Sequence, residues 1–586
     1  MGVNKYEIYN NKVIITLNDR VCFTSEDIIN SELFKRILTN CIAELKRKNS
    51  VIINIFDDIN NINEEKISAL IKTLKFLTKN STELLPSAVP GSEILLRDRH
   101  LFFDFIEYFY NHWRSMERYI VCDASDRDFE KRPYRAFNNI VEPISHMVRS
   151  TYRDIQENLS NDPPRIYRQV IAGPQVGVIA VPMRIPLPTG SFDQLQSIPI
   201  IRQVLLYPPL ILNPPMNKRS GKFERIYKNP LDLIDLNYEE WLCYPAKVGD
   251  LVMLVYFHKK FAELGLSLCN LFEMADDKDL QRKPDAVYVF GTDRKALEGL
   301  AKMPTVFFDD EVNDIFIGAV PGDDDFGYFG YLKKMILTLH NIKMMKRGRL
   351  PFHGAMMRMV LKGNKDLTFL FMGDTGAGKS ETLEAFRALG EDYIQDIIII
   401  ADDMGSFGIS SEGQIMGYGT ETGAFLRLDD LLPGYALAQI DRAIIMNANQ
   451  VNARILLPVT TFNNVVKGHK IDFILYANNY EDIDEDHPLI ERIATPGEAL
   501  KIFREGTVMS KGTTTTTGIV HTYFANVFGP VQYKELHETL ASEYFEAFFK
   551  AGVFVGQIRT RLGLNGCERN GPQEAAKELL ALIHRQ

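Results

Sequence analysis

At 586 residues the chain is too long for one hydrophobic core and is expected to divide into two or three domains. A composition that is 45% hydrophobic, 24% charged and 11% aromatic excludes a fibrous or disordered protein, because such a chain can bury a substantial core. The net charge of −9 argues against a protein whose main task is gripping nucleic acid and leaves room only for a local basic cleft.

The first twenty residues, MGVNKYEIYNNKVIITLNDR, alternate apolar and polar side chains, so no secretory signal is expected. Tyr6 stands where an N-myristoylation motif needs serine or threonine. Residues 1–162 read as a mostly helical accessory domain, with short strand patterns at 13–17 and 51–56 among long helical patterns rich in Leu, Lys, Phe and Tyr. Pro163 and Pro164 break helical geometry and mark the first boundary. Residues 163–346 read as a mixed α/β domain, with β-rich runs at 170–182, 205–212, 250–257, 287–290 and 315–320 and one helix over 259–274. No apolar run approaches the ~18 residues of a membrane span. The six cysteines, at 22, 41, 122, 243, 269 and 567, lack CxxC spacing, so neither a zinc site nor a disulfide framework is expected and a reducing cytoplasm fits.

Residues 347–586 alternate strands and helices around GDTGAGKS, residues 373–380, which follows the apolar run 367–372 and precedes a helical pattern starting at Glu381. The GxxxxGK[ST] spacing is that of a phosphate-binding loop: glycines let the backbone turn tightly enough to aim N–H groups at phosphate oxygens, and the helix that follows adds partial positive charge. Gly373, Asp374, Thr375, Gly376, Ala377, Gly378, Lys379, Ser380 and Glu381 are therefore expected to hold the phosphates of ATP. Lys379 would meet the β and γ phosphates, and Ser380 would give its hydroxyl to the accompanying divalent metal. The alternative is a glycine turn with no ligand.

A short apolar strand over 397–401 ends in Asp402 and Asp403, 23 and 24 residues after Lys379. That separation fits one helix, a turn and a returning strand, which would bring a carboxylate to a hard cation such as Mg2+ or Mn2+. Otherwise the pair is a cap or a solvated turn. Five threonines at 513–517 read as a polar loop or strand edge, or as the wall of a nucleotide pocket.

Upstream, residues 328–357 read YFGYLKKMILTLHNIKMMKRGRLPFHGAMM, with Lys334 19 residues before His353. Tyr-x-Gly, then Lys-Lys, then a histidine followed by a small residue, the glycine loop and an Asp-Asp strand end together resemble the phosphoenolpyruvate carboxykinase superfamily, ATP-dependent branch. Asn452-Ala453-Arg454 with Pro458 looks like that family's Asn-x-Arg segment, and HTYFANVFGP at 521–530 is similar to its segment near the adenine pocket. The resemblance implies an α/β fold: a carboxykinase-like two-domain core with a P-loop nucleotide-binding domain, plus the N-terminal accessory domain.

It further implies ATP with Mg2+ or Mn2+ in the cleft, the metal held by Lys334, His353 and Asp403 together with Ser380, and Arg454 touching the transferred phosphate. A lysine ligates only as a neutral amine, so its pKa would have to be strongly depressed. Tyr328 matches a substrate-contacting tyrosine, Arg184 in VPMRIPLPTG a carboxylate-binding arginine, and Arg559 or Arg561 a late arginine facing the nucleotide. Without the resemblance, Lys333 and Lys334 read as a solvated helix face and His353 as an interior histidine.

Two departures stand out. The family's Gly-Arg-Ser-Pro-Lys-Asp string is absent, leaving only Arg-x-Pro at Arg184, and GDTGAGKSE resembles the HPr kinase/phosphorylase branch, which phosphorylates a protein serine. In that branch Asp402 would be the base toward a hydroxyl. The expected activity is ATP- and metal-dependent phosphoryl transfer to a small oxyacid or hydroxyl metabolite, one version being oxaloacetate decarboxylation to phosphoenolpyruvate. A protein serine kinase that recruits its target through residues 1–162 and a catalytically silent nucleotide sensor are the alternatives. No nucleic-acid or membrane partner is expected.

Overall fold

The computed structural model describes residues 5–17, 24–123, 133–160, 170–362, 365–374, 376–379, 381–382, 385–386, 394–428, 431, 439–511, 517–567 and 570–585. The expected boundary at Pro163 and Pro164, the loop residues Thr375 and Ser380, and threonines 513–516 lie outside the described residues. The fold is mixed α/β with several sheets, and the chain forms two compact units, Met1–Met183 with Pro199–Leu210 and Arg184–Ile198 with Ile211–Gln586.

In the first unit the strands run in the order Lys5–Tyr9, Lys12–Leu17, Glu117–Asp123, Val176–Val181 and Ile200–Leu206. Lys12–Leu17, Glu117–Asp123 and Val176–Val181 pair in parallel, which requires long crossovers. Helices Glu32–Arg47, Glu64–Leu77, Arg99–Ser115 and Pro133–Leu159 lie within those crossovers. Ser31, Asn63 and Asp98 cap the first three, each side chain accepting a first-turn N–H. Apolar faces then meet in a core that includes Leu38, Leu45, Leu70, Leu77, Phe102 and Phe105. The expected strand at 51–56 is instead a 3-10 turn, Val51–Ile55, begun by the Ser50 side chain accepting the Ile52 N–H. This local cap overrides the β preference of Val51, Ile52 and Ile53.

In the second unit one sheet runs Trp241–Val248, Leu251–His258, Ala286–Thr292, Ile315–Pro321, Val306–Asp310 and Glu224–Ile226. The helix expected over 259–274 is shorter: Lys259–Phe261 and Leu268–Asn270 are 3-10 turns flanking Ala262–Ser267, and Glu273–Met274 pairs as a strand. Gly265 packs its bare Cα against the Phe257 ring, leaving no space for a side chain there. A second sheet carries Leu350–Leu361, Lys365–Met372, Phe473–Asn478 and Phe554–Arg559, the last three parallel. The helix Phe329–Lys346 is apolar on every side, and all its residues except Lys334 and Lys346 are buried. Such a helix belongs in an interior and not on a surface. Among the described residues no helix is long and apolar enough to cross a membrane.

Candidate functional site

The parallel strand Lys365–Met372 ends at Gly373, where the chain turns through left-handed Gly376 and Gly378 into a helical segment at Lys379. Ligand sites in α/β sheets lie at the carboxyl ends of such strands. The turn is clamped from behind: Asn479 Nδ2 donates to the Gly376 carbonyl (2.9 Å) and Thr560 Oγ1 to the Ala377 carbonyl (2.8 Å). A Cβ at Gly378 would meet Thr560 at 2.8 Å, so a side chain here would be excluded by both contact and backbone conformation.

A cavity of about 150 Å3 opens over this turn. Tyr328, Lys334, His353, Asp374, Gly376, Lys379, Glu381, Asp402, Asp403 and Arg454, all anticipated from sequence, line it. Lys333, Arg427, Asn526, Phe425 and Phe528 add to its polar and aromatic walls. Arg184 is exposed and is absent from this wall. Arg559 is buried between Glu481 (2.9 Å) and Glu491 (2.8 Å), and Arg561 pairs with Asp482 and Glu574, so carboxylates occupy both guanidinium groups away from the cavity.

At the cavity floor Asp403 is the hub. Its Oδ2 lies 2.8 Å from Lys333 Nζ and its Oδ1 2.8 Å from His353 Nε2. Lys333, read from sequence as a solvated helix face, is only 3% exposed and also faces Glu421 Oε1 at 3.5 Å. Burial opposes the charge on Asp403, but Lys333 and His353 outweigh it and hold the carboxyl well below its ordinary range. The same acids hold the Lys333 ammonium above its ordinary value despite burial. Glu421, unnoticed in the sequence, is buried and its carboxyl is pushed up to about 7 by desolvation. Its signal was a lone acid among small residues in GYGTETGAF.

Lys334 differs from its neighbour. Its ammonium packs on the Phe528 ring at 4.7 Å and is pushed down to about 8 by burial and by Arg219, against the pull of Asp403. A lysine whose folded value lies below its unfolded one binds fewer protons when folded, so stability rises with pH between about 8 and about 10.5. Lys334→Met is accordingly expected to stabilise the protein by about 3 kcal/mol at pH 7 and to remove that rise, read by urea unfolding across the pH range. An unchanged slope would refute it.

His353 is oriented from outside the cavity. Its Nδ1 faces the Ala525 carbonyl, which only accepts, so Nδ1 carries the hydrogen. Phe524, Ala525 and Asn526 are all left-handed, with φ of 45°, 54° and 63°. For L-residues this costs roughly 1–2 kcal/mol each, a strain of the kind found at functional sites. Nε2 lies 2.8 Å from Asp403 Oδ1, a separation that requires a proton or a cation between the two atoms. Lys379 Nζ, 3.5 Å from Nε2 and bonded to the Gly373 and Asp374 carbonyls, stands beside that gap.

Among the described residues no group of three or more His, Cys, Asp or Glu side chains is disposed to hold a metal. Any cation here would therefore rest on the His353 and Asp403 pair plus a nitrogen or hydroxyl donor. No protein-family model and no curated protein matches the chain.

Proposed function

We propose that this cavity binds a nucleoside triphosphate with a divalent metal and transfers the terminal phosphoryl group to a small oxyacid or hydroxyl-bearing acceptor. The proposed scaffold is a carboxykinase-like core whose nucleotide-binding part carries the glycine turn. One observation carries the reading. Arg427 and Arg454 sit directly opposite each other on the antiparallel strands Gly423–Arg427 and Arg454–Pro458, and both line the cavity. Like charges so placed cost a sheet stability, and an anion lying across both offsets that cost. Arg454 Nε is also buried with no hydrogen-bond partner among the described residues. With Lys333, Lys334 and Lys379 the wall carries five cations beside the four carboxylates Asp374, Glu381, Asp402 and Asp403. A polyphosphate travelling with a metal matches both signs.

The donor set fits such a metal. His353 Nε2 and Asp403 would hold it, Lys334 is a lysine whose proton burial makes easier to lose, and Ser380 lies outside the described residues. When bound, the metal would neutralise phosphate charge. Lys379 and Arg454 would stabilise the negative charge spreading over the departing phosphoryl group, the main source of rate in such transfers. Asp402, on the same wall, would accept the proton of a hydroxyl acceptor.

The test is incubation with γ-labelled ATP, Mn2+ or Mg2+, and a panel of small oxyacids and alcohols that includes oxaloacetate. Label on a small acceptor, or label-bearing phosphoenolpyruvate, is the expected result. Label appearing only on protein, or ATP bound without turnover, would overturn it.

A further inference from the structure

We propose that the N-terminal unit binds a small, uncharged, single-ring aromatic ligand in a second cavity of about 150 Å3, built wholly from that unit and independent of phosphoryl transfer. Two helices supply facing apolar stripes. Ile106, Phe109, Tyr110 and Trp113 recur at helical spacing on Arg99–Ser115, and Ile144, Val148, Tyr152 and Ile155 do so on Pro133–Leu159. Leu33, Phe34 and Ile37 close a third side from Glu32–Arg47.

Four of the five polar side chains on the wall are engaged elsewhere, Tyr110 being the fifth. Ser31 Oγ donates to the Ile28 carbonyl (2.7 Å) and accepts the Phe34 N–H, and Thr151 Oγ1 donates to Ser25 Oγ (2.8 Å). Trp113 Nε1 donates to the Ala172 carbonyl (2.6 Å), and the Tyr152 hydroxyl donates to Glu107. Water held in place needs two to four polar partners, which a single hydroxyl does not supply, and apolar space of this volume accepts benzene or xenon. A charged or hydrogen-bonding ligand would lose its water with only the Tyr110 hydroxyl to replace it.

The ring geometry selects an aromatic occupant. Phe34 meets Phe109 edge to face at 5.3 Å and 87°, and Tyr110 lies parallel to Tyr152 at 3.9 Å and 8°. Flat faces and edges of this kind extend naturally to one more ring.

The experiment uses the full chain with 13C-labelled Ile and Val methyl groups, titrated with benzene and separately with phenol. Benzene should shift the methyl signals of Ile37, Ile106, Ile144 and Val148 and raise the melting temperature with concentration, with phenol at least tenfold weaker. Val148→Trp and Ile144→Phe, which fill the space from successive turns of one helix, should abolish the benzene shifts. No methyl response at saturating benzene, an undiminished response in a folded filled variant, or phenol binding as tightly as benzene would each overturn the proposal. The wild-type benzene and phenol titrations decide the matter even if both filled variants fail to fold.

Discussion

Asp403→Ala should destabilise the protein by about 3–5 kcal/mol, the usual consequence of leaving one partner of a buried ion pair uncompensated. Lys333 has little access to solvent: it is 3% exposed, and its remaining acid, Glu421, stands 3.5 Å away. Glu421 lies farther from Lys333 than Asp403 does and is itself disfavoured as a charge by burial, so it replaces Asp403 only in part. The sign with pH follows. The Asp403 carboxyl lies below its ordinary 3.8 when folded, so its contribution is complete above that value and is lost only on acidification through the folded one. The loss on mutation should therefore be full at pH 7, read as a shift in the urea midpoint without a change in slope. The double variant Lys333→Met/Asp403→Leu should recover most of it, since an apolar pair of similar volume is often no worse than a buried ion pair. A cost below about 1 kcal/mol for Asp403→Ala would mean that Lys333 is not held as an ion here.

Lys379→Met should lower phosphoryl transfer by about 100- to 1,000-fold, the scale seen when a preorganised charge-stabilising donor is removed. Burial already pushes the Lys379 ammonium below its ordinary value, so removing its charge should cost the fold little beyond the bonds to the Gly373 and Asp374 carbonyls. Turnover and unfolding measured on the same preparation separate the two effects. A variant that keeps more than a tenth of wild-type turnover would exclude Lys379 from the reacting phosphate.

Some of this was legible in the chain and some was not, for identifiable reasons. The strands Lys365–Met372, Leu251–His258 and Ile315–Pro321 announce themselves as compact apolar runs bounded by polar residues, and the expected runs overlap them. Val51–Ile55 misled because β-branched composition says nothing of a serine cap beside it. Lys333 looked like a surface residue when taken as half of a Lys-Lys pair. The apolar residues around it, Leu332, Met335, Ile336 and Leu337, leave the helix without a polar face and are the better guide. Asn479 and Thr560 carried no signal, because a polar residue after a strand is ordinary and its target is fixed only by how strands align. The Ala525 carbonyl could not be foreseen, since a left-handed run through Phe and Ala contradicts their local preferences.

That alignment makes the glycine turn a product of the sheet beneath it. Met372 lies beside Tyr476, and Asn478 beside Arg559, so three neighbouring parallel strands stop just short of Gly373, Asn479 and Thr560. Adding or deleting a single residue in either flanking strand would slide its clamp by about 3.3 Å and turn that side chain to the opposite face. Length in this part of the chain is thus constrained more tightly than the chemistry of most side chains along it, and insertions should be tolerated in the loops beyond the clamps but not between them and the sheet centre.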